Sequence, residues 1–315
     1  MIASQEQSFL PVITKIDSFP YYQRDPAAYK KFMKSYYYFM IQGYEAPFGY
    51  IHSSIFKEAT WPECWLIDHE GRTVTLTGAG TFEERSRLVN DTLWRTHKAG
   101  KLNILKKWTD EQCAVRTANG EHVLHMSIMG SGMLGTVVAG VQLIAWTETE
   151  NGRRYWLQRR SARKSVHPGK LDVTAGGNFA AGERPIDGIV REALEEASIP
   201  KDYTRENIRS CGTISYHLAT NSDGSPGSQP HVQYTYEMEL PHGMIPKPSD
   251  GEVDKFITMD EKQIRAALFQ DDFKPIVGVL WLGHFYRHGM MSPESEENFE
   301  EICSRLHRKH DPFKL

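Results

Sequence analysis

A chain of 315 residues is long enough for two domains, and its net charge of −3 argues against general binding to nucleic acid, which favours a strongly basic face. The four cysteines are scattered without a C-x-x-C pair, which argues against a zinc site or a disulfide framework and predicts reduced thiols in the cytoplasm. The longest apolar stretch, Met133 to Trp146, is interrupted by Gly135 and Gln142 and is too short to span a bilayer. We expect no secretory signal, because the first residues lack an apolar core behind a basic start. We therefore expect a cytoplasmic protein without membrane or nucleic-acid partners.

The first 134 residues predict a smaller α+β domain. Thr81 and Glu84 have the spacing of a capping box and mark the start of a helix. Pro26 and Gly43 bracket another helical segment, because proline is tolerated in a first turn and glycine commonly follows a last turn. Helices are thus predicted over residues 25–42 and 81–99, and β-hairpins over residues 64–76 and 113–126.

A glycine-rich segment, residues 129–135, predicts a joint, and we place the boundary between residues 1–134 and a second domain, residues 135–315. In the second domain, alternating apolar residues predict strands, one of which enters a tight turn at Gly176-Gly177. The predicted strands cover residues 136–147, 154–160, 171–175, 208–216, 232–240 and 251–259, and helices are predicted from Asp260 and over residues 274–288.

Residues 177–199, GNFAAGERPIDGIVREALEEASI, predict a half-buried helix with an acidic face. Apolar residues recur at steps of three and four from Ile186 to Ala197. Pro185 is tolerated in the first turn, and Pro200 ends the helix. The opposite face carries carboxylates at positions i, i+3 and i+4, those of Glu192, Glu195 and Glu196.

The strand, the glycine turn and the acidic helix together predict a cradle for a metal ion and a diphosphate. Clustered carboxylates repel each other unless cations neutralise them, and Mg²⁺ or Mn²⁺ prefers such hard oxygen ligands and keeps positions open for water and phosphate. An ion pair between Glu183 and Arg191 would brace the turn against the helix. The alternative interpretation is a solvated acidic face on an amphipathic helix.

The same segment resembles the Nudix box, G-x5-E-x7-R-E-U-x-E-E-x-G-U with U aliphatic. All charged positions match, whereas Ala193 is smaller than the usual aliphatic residue and Ser198 replaces the last glycine. The resemblance implies the α/β class, an α/β/α sandwich with a mixed β-sheet, and hydrolysis of a diphosphate linked to another moiety. It also implies structural roles within the box for Gly177, Glu183 and Arg191.

The resemblance implies a set of metal ligands and leaves the general base open. The groups that correspond to the family's ligands for Mg²⁺ or Mn²⁺ are the carbonyl of Gly176 and the carboxylates of Glu192, Glu195 and Glu196. A carboxylate would take the proton of the attacking water. The candidates for this catalytic role are Glu192 and Glu196 in the box and Glu252 after it, with Glu237 and Glu239 as alternatives.

Basic residues that precede the box are candidates for binding the substrate, because guanidinium and ammonium groups clamp phosphate oxygens. These candidates are Arg159, Arg160 and Lys170. Strand alternation allows at most one of the two arginines to face inward, and a solvated basic loop is the alternative. His284 and His288 lie four residues apart on one face, but we expect no metal there because the flanking sequence is not that of a zinc helix.

Further stretches resemble a two-domain Nudix subfamily whose N-terminal part is found beside thiamine pyrophosphokinase in some fungi. They are WLQRRS at 156–161, GKLD at 169–172, GEV at 251–253 and FYRHG at 285–289. This resemblance implies removal of phosphate from damaged or toxic thiamine diphosphate analogues of the oxothiamine or oxythiamine type, giving the monophosphate. A nucleoside diphosphate derivative, isomerisation of a prenyl diphosphate and a non-catalytic diphosphate-binding module remain alternatives, and a homodimer is left open.

Overall fold

A computed structural model of the chain describes residues 7–164, 166–249, 251–310 and 312–315. Within those ranges, none of the helices combines the length and the apolarity that crossing a lipid bilayer requires.

The N-terminal part contains a four-stranded sheet and a separate hairpin. The sheet has the order β2-β1-β4-β3, in which β1 and β4 run parallel and the other neighbours antiparallel. Its strands are β1 (Tyr36–Ile41), β2 (Gly49–His52), β3 (Trp65–Asp68) and β4 (Thr73–Leu76), and the hairpin consists of β5 (Gln112–Arg116) and β6 (His122–Ser127). The helices are α1 (Leu10–Thr14), α2 (Pro26–Met33), α3 (Ser53–Glu58), α4 (Phe82–Ala99) and α5 (Gly130–Leu134), and Asn103–Leu105 form a 3-10 turn.

Two helix predictions in this part have different outcomes. The capping box of α4 is confirmed, since the Thr81 side chain accepts from the Glu84 N–H while the Glu84 carboxylate accepts from the Thr81 N–H. The helix predicted through residue 42 is wrong beyond Met33, because the aromatic run that follows forms β1. Aromatic residues favour a pleated strand, and Gly43, at φ 92°, lies in the turn that follows this strand rather than at the end of a helix.

The C-terminal part is built on a seven-stranded mixed sheet. Its main path is β11-β12-β7-β8-β13, with β10 paired to β7 and β9 paired to β8; β12 and β7 run parallel and the other pairs antiparallel. The strands are β7 (Val138–Thr149), β8 (Gly152–Arg160), β9 (Leu171–Asp172), β10 (Ala175–Asn178), β11 (Arg209–Thr220), β12 (Pro226–Glu239) and β13 (Val253–Met259). The helices are α6 (Pro185–Ala197), α7 (Lys201–Asn207), α8 (Glu261–Phe269), α9 (Pro275–Arg287) and α10 (Phe299–Arg305).

Helices cover both faces of this sheet. Successive residues of a strand point to opposite sides, so a strand that is apolar throughout presents apolar side chains on each face. Val141 and Leu143 of β7 pack in one apolar cluster with Ile189 of α6, whereas Ile144 packs in another with Trp281 of α9. The helix that carries the acidic residues therefore lies on one face and α9 lies on the other. The predicted α/β sandwich with a mixed sheet, preceded by a smaller domain, is confirmed.

Segments near the start and near the end of the chain make contacts between the N-terminal and C-terminal parts. Phe9 and Ile13, from the N-terminal segment, lie in the apolar cluster of α9. The carboxylate of Asp17 accepts from Arg305 at 3.0 Å and from Arg308 at 2.8 Å. The boundary after residue 134 stays a prediction about the chain's folding units, and contacts from both ends of the chain cross it.

Candidate active site

The site begins at two glycines in β10 that leave room for side chains from the facing elements. A Cβ on Gly177 would lie 2.5 Å from Oε1 of Glu192, and a Cβ on Gly176 would lie 2.4 Å from Oε1 of Gln142 and 2.8 Å from the Val141 carbonyl oxygen. Neither position tolerates a side chain without displacing these groups. The prediction of a tight turn at these glycines is wrong, because both lie in the extended strand β10, and their lack of side chains lets the acidic helix approach that strand closely.

Glu196 is the most deeply buried carboxylate of the acidic helix. Its side chain accepts from the Gly176 N–H at 2.8 Å and from Nε2 of Gln158 at 3.2 Å, and the residue is 5% exposed. Burial raises the pKa of Glu196 to about 8, although the Gly176 N–H opposes this. Its hydrogen bonds come from neutral donors, so a cation beside it would offset the cost of burying its charge.

Glu192 lies one turn before Glu196 and faces the neighbouring glycine. Burial raises the pKa of Glu192, against the opposing effect of Arg191, and the nearby Glu195 and Glu252 raise it further. The side chain of Glu195 is 51% exposed, so it lies at the rim of the site. α6 therefore orders its three carboxylates from the interior to the solvent.

Arg191 connects the helix to the turn that precedes it. Its guanidinium donates to Glu183 at 3.3 Å, to Glu192 at 2.8 Å, to Glu195 at 3.0 Å and to the Asn178 carbonyl at 3.2 Å. The predicted Glu183–Arg191 ion pair is present. Glu183 also accepts from the Ala180 N–H, so its carboxylate fixes both ends of the turn.

The basic residues predicted to bind substrate are engaged by the chain's own groups. Arg160, which lies on the Gln158 side of β8, binds Asp172 at 2.9 Å and the carbonyls of Val166 and His167. Arg159 lies on the opposite face and pairs with Asp272 at 2.9 Å. Lys170 donates to the Asp271 carbonyl. Of these three, the structure places only Arg160 on the sheet face of Glu196.

The candidate bases lie in two different environments. Glu252 forms an ion pair with Lys164, its side chain is 49% exposed, and its charge acts on Glu192. Glu237 lies on the α9 face, where it is fully buried. Glu237 is thus separated from the acidic helix by the sheet, whereas Glu252 is near it.

Gln158 is a residue that the sequence analysis missed. It is 2% exposed and holds the carboxylate of Glu196. Strand alternation could have identified it, because it lies two residues before Arg160 and so faces the same side of β8.

A second cluster of ionisable groups surrounds Glu237. Its carboxylate accepts from His284, His288, Arg209 and Arg287, each at 2.8 Å. Burial alone raises the pKa of Glu237, but the hydrogen bonds from His284, Arg287 and His288 outweigh it and hold the pKa well below its usual range. The ligand atoms of Glu237, His284 and His288 lie within 4.8 Å of one another, which would suit a metal ion. The two guanidinium groups on the same carboxylate would repel such an ion, so we interpret the cluster as an ion-pair network.

Comparison with known proteins assigns the family. A family model for the NUDIX domain matches residues 140–277, and one for a domain of unknown function, DUF4743, matches residues 22–134. Nudix hydrolase 24, chloroplastic, from Arabidopsis thaliana is 30% identical over 255 residues, which cover 78% of this chain and 67% of that protein. The chain belongs to the Nudix hydrolase family. It is therefore a hydrolase that acts on diphosphate bonds.

Other similarities cover more of the chain or concern solved structures. The uncharacterized protein YJR142W from Saccharomyces cerevisiae is 27% identical over 319 residues, which cover 96% of this chain and 91% of that protein. The crystal structure of DR0079 from Deinococcus radiodurans has a TM-score of 0.40 and 18% identity, covering 63% of this chain and all of that one. The family assignment rests on the sequence relatives.

Nudix enzymes generally use divalent metal ions, and the residues of this site fit such an ion. Glu192 and Glu196 come from one helix and meet adjacent glycines of one strand. Their carboxylates offer the hard oxygen ligands that Mg²⁺ and Mn²⁺ prefer. Burial raises the pKa of both carboxyl groups because it disfavours their charged forms. A bound cation would offset this cost by favouring the charged forms.

Proposed function

We propose that this Nudix hydrolase is a metal-dependent diphosphatase that converts small-molecule diphosphates to monophosphates. One observation carries the proposal: the carboxylates of Glu192 and Glu196 converge on the Gly176-Gly177 segment, where glycine is required for their approach. A solvated acidic face would not bury a carboxylate of the helix to 5% exposure between a backbone N–H and a glutamine.

The residues that would hold Mg²⁺ or Mn²⁺ are the carbonyl of Gly176 and the carboxylates of Glu192, Glu195 and Glu196. When bound, the ion neutralises charge on the diphosphate and lowers the pKa of a coordinated water. Gln158 and the Gly176 N–H both donate to Oε2 of Glu196, so they fix the orientation of this carboxylate. Arg191 does the same for Glu192 and Glu195.

We assign the general base to Glu252. It lies close enough to Glu192 to influence its pKa, and half of its side chain is accessible to solvent and thus to a water nucleophile. Lys164 holds the carboxylate in place. The water oxygen forms a bond to one phosphorus as the bridging P–O bond breaks. Glu252 takes the proton of the water and the leaving phosphate keeps the electron pair of the broken bond, which gives a monophosphate and inorganic phosphate.

Arg160 acts as a positioning residue in this proposal. Its bonds to Asp172 and to two carbonyls of the 166–167 loop leave the guanidinium fully engaged, and they tie that loop to β8. Direct contact of Arg159 or Lys170 with the diphosphate stays a prediction.

For the substrate, we propose thiamine diphosphate analogues with a damaged ring, of the oxothiamine or oxythiamine type. The support is the similarity of the stretches at 156–161, 169–172, 251–253 and 285–289 to the thiamine-associated subfamily. The match of residues 22–134 to a distinct domain agrees with a specialised two-domain enzyme. We also propose a cytoplasmic location, supported by four cysteines that are all free thiols, and leave a homodimer open.

The test is release of inorganic phosphate and of monophosphate products by the purified chain with Mg²⁺. The panel contains thiamine diphosphate, oxythiamine and oxothiamine diphosphates, ADP-ribose, NADH and nucleoside triphosphates. We expect preferential cleavage of the damaged thiamine diphosphates, a loss of at least a hundredfold in kcat for Glu196→Gln, and a similar loss for Glu252→Gln. Glu206→Gln, an exposed carboxylate on the adjacent α7, is the matched control and should act like the wild type.

The other outcomes discriminate among the alternatives. Cleavage of nucleotides alone would keep the diphosphatase chemistry and reject the thiamine-type substrate. Metal-dependent binding without turnover of any compound would reject the enzyme mechanism in favour of a binding module.

A further inference from the structure

A cleft of about 740 Å³ lies between the two domains on the α6 side of the sheet. The N-terminal domain lines it with residues 43–48 and with the β5–β6 hairpin, residues 113–119. The Nudix domain lines it with residues 179–181, which follow β10, and with residues of β7, β11 and β12. This interdomain cleft falls in the size range of small-molecule sites.

The cleft reaches the segment that follows the catalytic strand β10. Phe179, on its wall, lies two residues after Gly177, and it packs with Ile189 in the apolar cluster of α6. The N-terminal domain binds this same turn directly, since the Ala181 N–H donates to the Gln112 carbonyl at 3.0 Å. A substrate whose diphosphate lies against Gly176-Gly177 would place its other end in the cleft by extending along residues 178–181.

The walls of the cleft suit an aromatic ring. Tyr44 and Phe48 come from the N-terminal domain, and Phe179 and Tyr234 come from the Nudix domain, where their ring centroids lie 5.7 Å apart in an edge-to-face arrangement. Such rings offer both an apolar surface and a geometry for ring contacts.

The polar groups of the cleft favour a hydrogen-bond acceptor. Arg116, the last residue of β5, lines the cleft, and its Nε is buried with no hydrogen-bond partner among the described residues. The same holds for Oγ1 of Thr136, on the Nudix side. Arginine has only donors, so a ring carbonyl satisfies it, whereas a ring amino group leaves two donors facing each other.

The charged residues of the cleft also favour a ligand that bears a hydrogen-bond acceptor. Arg308, which also lines it, is bound to Asp17 and to the Phe19 and Pro20 carbonyls. Of the two arginines among the described residues of the lining, Arg116 is the one with an unsatisfied buried donor. Glu45, a carboxylate on the lining, is exposed. A wall of this kind does not select for a cationic ring over a neutral one.

We propose that the interdomain cleft holds the ring system of the substrate and that Arg116 of the N-terminal domain selects a ring that bears a carbonyl in place of an amino group. The proposal rests on the proposed diphosphatase function and deepens it. It gives the N-terminal domain a role in specificity, because without this domain half of the cleft wall and the selecting donor are absent.

The test compares two diphosphates that differ at one position, thiamine diphosphate and oxythiamine diphosphate, in which a carbonyl replaces the pyrimidine amino group. We expect the full-length wild type to favour the carbonyl compound at least tenfold in kcat/KM, and Arg116→Met to reduce that ratio to threefold or less. Arg95→Met, an exposed arginine on α4, is the matched control and should keep the wild-type ratio. Thermal melting of each variant reports whether it folds.

Two failures are distinguishable. If both compounds are hydrolysed and Arg116→Met keeps the wild-type ratio, the cleft assignment is overturned while the diphosphatase stands. If no diphosphate is hydrolysed, the proposed function fails, and the cleft is then tested by calorimetric binding of oxythiamine monophosphate. Binding weakened about tenfold by Arg116→Met but not by Arg95→Met would support the cleft, and equal binding to both variants would overturn it.

Discussion

Ser198 stands where the Nudix box usually has glycine, and this difference affects the stability of the helix end rather than its geometry. It ends α6 at φ 55° and ψ 28°, in the left-handed region, where the usual box has glycine. The Ile199 and Ser198 N–H groups still bond the last turn of the helix, so the serine keeps the cap that a glycine would make. A side chain in this conformation costs free energy that glycine does not incur.

We therefore expect Ser198→Gly to raise the free energy of unfolding by about 0.5–1 kcal/mol, since relief of backbone strain exceeds the loss of the exposed hydrogen bond from Ser198 Oγ to the Lys247 carbonyl. Urea unfolding measures the change. Ser304→Gly, inside α10, is the control with the opposite sign, because glycine within a right-handed helix is destabilising. Equal destabilisation by both substitutions would contradict the strain at Ser198.

The local elements of the site could be predicted because their signals are short-range. The Glu183–Arg191 ion pair and the acidic face of α6 lie within residues 183–196 and follow from helical spacing. The partners of Arg159 and Lys170 could not be predicted from the sequence. Their partners, Asp272 and Asp271, come from a segment about a hundred residues away, and only the fold brings these charges together.

At the scale of elements, the network around Glu237 ties β12 to β11 and α9. Arg209 comes from β11, while His284, Arg287 and His288 come from the end of α9. A fully buried carboxylate with these donors holds the three elements in one arrangement, and removing its charge leaves the donors unpaired.

We expect Glu237→Gln to lower the free energy of unfolding by about 3–5 kcal/mol, the cost of breaking a buried ion pair. Arg209→Gln should cost less than about 1 kcal/mol, since the arginine side chain is 64% exposed and three other donors remain on Glu237. Chemical denaturation of both variants measures the difference. If the two values are alike, the network does not depend on the buried charge.

At the scale of the whole molecule, the two domains are joined by segments that are distant in sequence. The C-terminal residues continue from α10 past β11, where the Ser215 N–H donates to the Leu306 carbonyl, and reach the N-terminal sheet, where the Phe313 N–H donates to the Tyr50 hydroxyl. No local pattern predicts this joining, because the partners are separated by about ninety and about two hundred and sixty residues. The interdomain cleft depends on it, since residues 308, 310 and 312 form part of its lining.

His217 lies at this junction and gives it a pH dependence. The imidazole is 5% exposed, stacks on Phe19 at 3.9 Å and shares a hydrogen bond with Ser228. Burial lowers the pKa of His217 well below 6.5, and the positive charge of Arg308, followed by His310 and His231, lowers it further. Asp17, the nearby carboxylate, accepts from the His217 backbone N–H and from Arg305 and Arg308.

The folded state therefore keeps His217 neutral at a pH where the unfolded chain, with a pKa near 6.5, binds a proton. The contribution to stability is complete above pH 6.5 and is lost progressively as the pH falls from 6.5 toward the folded pKa. One such group changes the free energy of unfolding by up to about 1.4 kcal/mol per pH unit.

Between pH 6.5 and 5.5, we expect wild-type stability to fall by about 1 kcal/mol more than that of His217→Gln, which has no imidazole to protonate at this junction. Urea unfolding across that interval measures the two slopes, and His242→Gln, at an exposed position, should keep the wild-type slope. Parallel slopes for the wild type and His217→Gln would mean that a different group sets the acid sensitivity of the domain junction.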